Sequence, residues 1–357
     1  MRKIVIGVVL LLLLLALGFY AVGGELHHGG SPTTVSIIAN STIMAITSTI
    51  SGGNLSPLKG AVDTGPSYGN IKLYAQNYQA ADAELQMLYD TNSSAIRIDL
   101  SYDAWIQNNA TEIAAYDSFV SNIGAHGKTF VIADSAAEYY RIHKLSWSQF
   151  RAAWVQRVAT LAARYHPAYY VVVKEPGWYF PMISGFPPLN SSDWINLTQQ
   201  LITAVKNVSP NTQVGIAVPG NMYHESTRLD LNYLIAARNL AGLDFIGFDI
   251  YGPVGQNDTQ TFLNTYGSGG KRVWIAETWG TSSSPYNQSR SSADVAWIKS
   301  IYAFGQQIHA QYVFPFYTNI FASYSQPPSN ATQLVAYFQN RTPVFYAYKN
   351  ITVTNST

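Results

Sequence analysis

Residues 169–178 read YYVVVKEPGW, and residues 272–280 read RVWIAETWG. Each is a short β-branched and aromatic run of the kind that forms a parallel strand buried on both faces. Each ends in one carboxylate, Glu175 or Glu277, followed by chain-breaking or bulky residues. Parallel barrels carry their reactive groups at the carboxyl ends of strands, so the two runs predict two acids at one mouth.

Outward from these runs the chain alternates between two periods. Strand patterns fall at Leu58–Val62, Ala95–Leu100, Thr129–Ala133, Tyr169–Lys174, Gln213–Val218, Phe245–Ile250, Val273–Ala276 and Tyr312–Phe316. Helical patterns lie between and after them, at Ala80–Tyr89, Glu112–His126, Ser148–Tyr165, Ser192–Asn207, Arg228–Leu240, Thr259–Tyr266, Ala293–His309 and Thr332–Gln339. Ser148, Ser191-Ser192-Asp193 and Ser291-Ser292 are the expected helix caps. His166-Pro167 stops the third of these helices ahead of the fourth strand. Eight strand–helix alternations imply a (β/α)8 TIM barrel, class α/β. An open doubly wound sheet is the runner-up, but no GxGxxG follows the first strand. Residues 337–348 read as the end of the last helix plus a closing segment.

The barrel is assigned to residues 57–350, with a tail at 351–357. Residues 24–56 are a Ser/Thr/Asn-rich linker without helical period, in which His27 and His28 read as solvated. Residues 1–23 are a signal peptide or a membrane anchor: Met1-Arg2-Lys3 precedes an apolar run from Ile4 to Val22. A spanning helix needs about 17–25 residues and a cleaved signal about 7–15. Small residues at 21–23 keep cleavage open. Either outcome places the bulk of the chain outside the cell, with membrane contact only through this segment if it is retained.

Composition agrees with export. Charged residues are 11% of the chain and the net charge is +1, giving no electrostatic reason to expect nucleic acid as partner. There is no cysteine, hence no disulfide and no thiolate metal site. Asn-X-Ser/Thr sequons begin at Asn92, Asn109, Asn190, Asn196, Asn207, Asn257, Asn287, Asn330 and Asn340, with others at Asn40, Asn54, Asn350 and Asn355. They are glycosylation candidates, mostly beside predicted helices. A surface with few carboxylates has little to lose on protonation, which suits an acidic habitat.

Read in order, the strand ends offer Asp63, Arg97 with Asp99, Asp134, Glu175, Asn221 with Tyr223, Asp249 with Tyr251, Glu277, and Tyr317 with Asn319. Polar residues also gather at strand ends for structural reasons alone, but two facing carboxyls are what acid–base cleavage of a glycoside needs. Aromatic residues nearby, Trp178, Tyr179, Trp279 and Tyr286, are candidates to stack on sugar rings. Asp134 and Glu138 line a cleft or cap a helix, and His224-Glu225 reads as a helix-start pair. No set of His, Asp and Glu has metal spacing, so neither a metal nor another cofactor is expected.

The VVVKEPGW and VWIAETWG motifs resemble the acid/base and nucleophile motifs of the clan A glycoside hydrolases, the 4/7 barrels that include cellulases, mannanases and galactanases. The resemblance spans the barrel. It implies a retaining β-glycosidase with Glu175 as acid/base and Glu277 as nucleophile. It also implies support of Glu277 by Arg97 and Tyr251, and a carbohydrate substrate. Lys174, Trp178, Asn221, Tyr223, Trp279, Tyr317 and Asp134 are the substrate-binding candidates. Two positions depart from the pattern: Lys174 stands where the clan has Asn, and Phe316-Tyr317 where it commonly has Trp. An ammonium at 174 would lower the Glu175 pKa and suit work at pH 3 to 4. Alternatively Lys174 points away, or the barrel has lost catalysis and only binds carbohydrate at the cell surface. A transglycosylase would use the same residues.

Overall fold

Eight parallel strands pair in sequence order and close into a ring: β1 (Leu58–Asp63), β2 (Ala95–Leu100), β3 (Thr129–Asp134), β4 (Tyr169–Lys174), β5 (Gln213–Pro219), β6 (Phe245–Tyr251), β7 (Arg272–Trp279) and β8 (Ala310–Pro315). The pairing of β1 with β8 completes the closure. This computed structural model describes residues 57–63, 71–100, 103–106, 108–134, 145–177, 190–225, 228–280 and 286–352, all within the compact unit Gly53–Thr357. The apolar run at 4–22, the linker, Trp178, Tyr179 and Glu138 lie outside the described residues, as do Asn40, Asn54 and Asn355.

The expected barrel is the observed one, with element ends moved by a few residues. Among the strands the largest shift is in β7, which runs to Trp279 rather than ending at Ala276, and among the helices the one expected from Thr259 begins at Pro253. The helices between and after strands are α1 (Ile71–Gln76), α2 (Tyr78–Asp90), α3 (Asp103–Ile106), α4 (Ala110–Ala125), α5 (Trp147–Tyr165), α6 (Ser191–Val208), α7 (Leu229–Ala237), α8 (Pro253–Tyr266), α9 (Ser291–Gln307), α10 (Ala331–Gln339) and α11 (Pro343–Lys349). Among the described residues no helix is long and apolar enough to cross a membrane. The closing segment is itself helical: Thr342 caps α11, and Lys59 of β1 donates to the Tyr348 carbonyl at 2.7 Å, tying the last helix to the first strand.

Caps depart from expectation by one or two residues. Ser146, not Ser148, caps α5, in a reciprocal box with Gln149. Asn190 caps α6 through the Asp193 amide. Arg290 occupies the cap position of α9 without a side-chain bond, after a short 3₁₀ turn begun by Asn287. Four sequon asparagines, Asn109, Asn190, Asn287 and Asn330, accept backbone amides at such starts. An Asn followed two residues later by Ser or Thr is therefore also what these caps look like.

Side chains alternate across each strand, so the ring has an inner core and an outer one beneath the helices. The inner core is aromatic toward the amino-terminal end. Phe245 and Trp274 stack at 4.0 Å between ring centroids, and Tyr169 meets both edge-on. Glycines make the room: a Cβ on Gly215 would lie 2.2 Å from Phe245, and one on Gly60 2.4 Å from Phe314. Nearer the carboxyl ends the filling becomes polar, with Arg97, Asp99, Lys174, Asp249 and Glu277 all buried.

Candidate active site

Two irregularities aim this polar layer. In β4, Val171 pairs with Gly215 but Val173 pairs with Ile216, so Val172 is an extra residue. Strict alternation from the inward Val171 would turn Lys174 outward. The bulge reverses that, and Lys174 sits opposite inward-facing Ala217. In β7 the register slips beside Phe248 and Asp249, so that Asp249 faces Glu277. The extra residue brings Glu277 inward although its neighbour Ala276 already faces that way. Both motif strands are thus bulged where chemistry is expected.

Glu277 is the hub. Its Oε1 accepts from Arg97 Nη2 at 2.5 Å and from Lys174 Nζ at 3.0 Å, and its Oε2 accepts from the Tyr251 hydroxyl at 2.8 Å. A carboxyl that only accepts, from two cations and a phenol, is in its carboxylate form. Arg97 is itself fixed by Asp99, through Nε at 2.7 Å and Nη2 at 2.9 Å, and by the Ala276 carbonyl at 2.7 Å. Lys174 closes the cycle, donating to Asp99 at 2.8 Å. Burial would raise the Asp99 carboxyl, but the Arg97 guanidinium and the Lys174 ammonium outweigh it and hold it down at about 2.

Two further carboxyls have the opposite environment. Burial, followed by the charge on Glu277, pushes Glu175 up to about 8, with Lys174 pulling the other way. Burial, then Glu277 and Glu175, raises Asp249 well above the usual carboxylate range. Both Asp249 oxygens lack a hydrogen-bonding donor, as suits a neutral acid. The layer therefore balances two cations against two carboxylates, with two acids left protonated.

Arg97, Lys174, Tyr251 and Glu277 are joined by direct bonds, and Glu175 by its electrostatic coupling to Glu277. The expectation for Lys174 is corrected in two respects. It does not point away, because the bulge turns it inward. Nor does it hold Glu175 low, because burial and Glu277 act more strongly. Trp279 has no exposed surface and packs against Tyr317 and Phe321, so it offers no face for stacking. Tyr317 is half-buried with its ring 6.5 Å from that of Tyr251, beside the hub. Asn319 is buried and donates to the Tyr286 hydroxyl. Asn221 is exposed at the head of a 3₁₀ turn with Tyr223 half-buried behind it, and Asp134 ends β3.

His224 lies 3.6 Å from Asp258, and Glu225 accepts from the Asp230 amide in the first turn of α7, as expected of a helix-start pair. Asp230, fully buried beneath the Glu175 turn, has no signal in the sequence beyond its place near a helix start. A cavity of about 700 Å³ lined by Pro167, Tyr169, Ser209 and Gln213 lies at the other, amino-terminal rim. Among the described residues no group of three or more His, Asp or Glu is arranged to hold a metal ion.

The ring places the chain among the (β/α)8 barrels, and solved structures share it. Fpglu1 from Fervidobacterium pennivoraus is 12% identical, with 78% of this chain and 83% of that one covered and a TM-score of 0.54. GH10 from Paenibacillus barcinonensis is 12% identical over 85% and 97%, with a TM-score of 0.52. The virulence factor SghA, solved with its substrate analog salicin, is 10% identical over 77% and 88%, with a TM-score of 0.50. At these identities the likeness is one of fold. No protein family model matches the chain, and neither does any curated protein.

Proposed function

We propose that the chain is a retaining β-glycosidase in which Glu277 is the nucleophile and Glu175 the acid/base. The observation that carries this reading is the contrast between the two carboxyls: Glu277 accepts three bonds as a carboxylate, while burial and that same charge keep Glu175 protonated. Double displacement needs this division. Glu277 would attack the anomeric carbon as Glu175 gives its proton to the departing glycosidic oxygen. The covalent ester removes the charge on Glu277, which lowers the proton affinity of Glu175, so Glu175 stays ionised after giving up its proton and accepts one from the attacking water. That water displaces Glu277 and restores both groups. Arg97 and Tyr251 stabilise the carboxylate as it leaves. The neighbours include GH10 and a protein solved with its substrate analog salicin, which fits a carbohydrate substrate.

Turnover of aryl β-glycosides, β-glucans, mannans and galactans tests the reading. Glu277→Gln should lose more than about 10³-fold in kcat on any substrate that the parent cleaves. Activity that survives this change removes Glu277 from the role. One observation favours a second reading, a barrel that binds saccharide without cleaving it: Lys174 rests on Glu277 and competes with its attack. Saccharide binding with no turnover by the parent would select it. A transglycosylase would show itself by new products when acceptor sugars are present. Export belongs to the same reading and rests on the basic start and the apolar run at residues 4–22. Finding the full-length chain in the soluble cell interior would remove it.

A further inference from the structure

A second pair of carboxyls, Glu225 and Asp230, lies behind the turn that carries Glu175. Glu175 has φ 45°, in the left-handed region that a side chain enters only where its surroundings hold it. Two bonds bracket it. Its own amide donates to the Ala217 carbonyl at 2.9 Å, and the Gly177 amide donates to Asp230 Oδ1 at 2.8 Å. The contact is close: a Cβ at residue 177 would lie 2.8 Å from Asp230 Oδ2. Asp230 is fully buried and its amide donates to Glu225 Oε2 at 3.3 Å, which brings the two carboxyls side by side. Two ionised carboxyls this close, away from water and short of donors, repel each other, and a proton held between them relieves both. Asp230 Oδ2 and Glu225 Oε1 have no N–H or hydroxyl donor.

We propose that Asp230 and Glu225 hold one proton between them, and that the pair positions Glu175 by clamping its turn through the Gly177 amide. The proposal rests on the acid/base reading of Glu175 and deepens it. Burial pushes Asp230 well above the usual carboxylate range and Glu225 upward too, so the proton stays at neutral pH. The groups facing the pair are each other, Glu175 and Tyr233, while Glu175 is faced by Glu277, Lys174, Glu225 and Arg97. As pH rises the proton passes to solvent, two carboxylates face each other, and the turn loses its clamp. The alkaline limb of kcat/KM then contains two ionisations, that of Glu175 and that of the pair.

Two aryl β-glycosides separate positioning from folding. A 2,4-dinitrophenyl glycoside departs without a proton, whereas an unsubstituted phenyl glycoside needs one. Asp230→Ala should lose roughly 10²-fold on the phenyl glycoside and little on the dinitrophenyl one. Glu225→Gln, whose amide donates permanently, should keep turnover and reduce the alkaline limb to one proton. Infrared spectra at neutral pH supply a readout free of sugar chemistry: one neutral-carboxyl band should vanish in Asp230→Asn. Equal losses on both glycosides, an alkaline limb unchanged by Glu225→Gln, or an unchanged infrared band would each overturn the proposal. A parent that cleaves neither glycoside overturns the glycosidase reading and the clamp's acid/base role with it, and the band then reports the shared proton alone.

Discussion

Lys174 shows what one side chain does to a site. Its ammonium bridges Asp99 and Glu277, and it lowers the proton affinity of Glu175 against the larger effects of burial and Glu277. Removing the charge should let those effects act unopposed. Lys174→Met is therefore expected to move the alkaline limb of kcat/KM to higher pH than in the parent, where Glu175 loses its proton at about 8. A pH–rate profile that does not move would show that the ammonium acts on Glu277 alone. The residue type at 174 was plain in the sequence, but its direction was not. Alternation along YYVVVK points it outward, and only the bulge at Val172 turns it in. Asp230 was illegible for a related reason, since its partner Gly177 lies on a different element and nothing local joins them.

At the scale of the element, the barrel was legible because buried parallel strands leave unmistakable apolar runs, and β4 was found with both ends correct. β7 was read three residues short at its carboxyl end because Glu277, Thr278 and Trp279 look like loop residues. Their pairing with β6 is a tertiary fact, and it buries the tryptophan expected to face sugar. The inner strands are also constrained by their glycines. Gly215→Ala would drive a methyl group into the Phe245 ring, which is itself stacked on Trp274. Overpacking of this kind costs about 1–3 kcal/mol, so the denaturation midpoint should fall with the slope unchanged. A neutral result would mean that the aromatic stack slides freely. Sequons carry a lesson of the same scale: Asn330 bonds the Thr332 and Gln333 amides, so its position next to a helix follows from capping with or without a glycan.

For the whole molecule, the buried acids set how stability follows pH. Glu175, Asp249, Asp230 and Glu225 are all raised, so the folded chain keeps protons that the unfolded chain has already released. Stability from these groups is present at low pH and is lost as pH climbs toward 8 and beyond. Asp99 works in the other direction, its contribution being lost only as pH falls toward about 2. The melting temperature is expected to be higher at about pH 5 than at about pH 9, in keeping with the acidic habitat inferred from composition. The reverse order would contradict these assignments. The balance of two cations and two carboxylates around Glu277 reaches further than stability. That cluster of described charges projects almost no field into solvent, so it neither gathers nor repels ions at a distance. An uncharged sugar should be captured at the same rate in dilute buffer and in brine, and kcat/KM should stay level from about 0.01 to 1 M ionic strength while the Debye length shrinks tenfold.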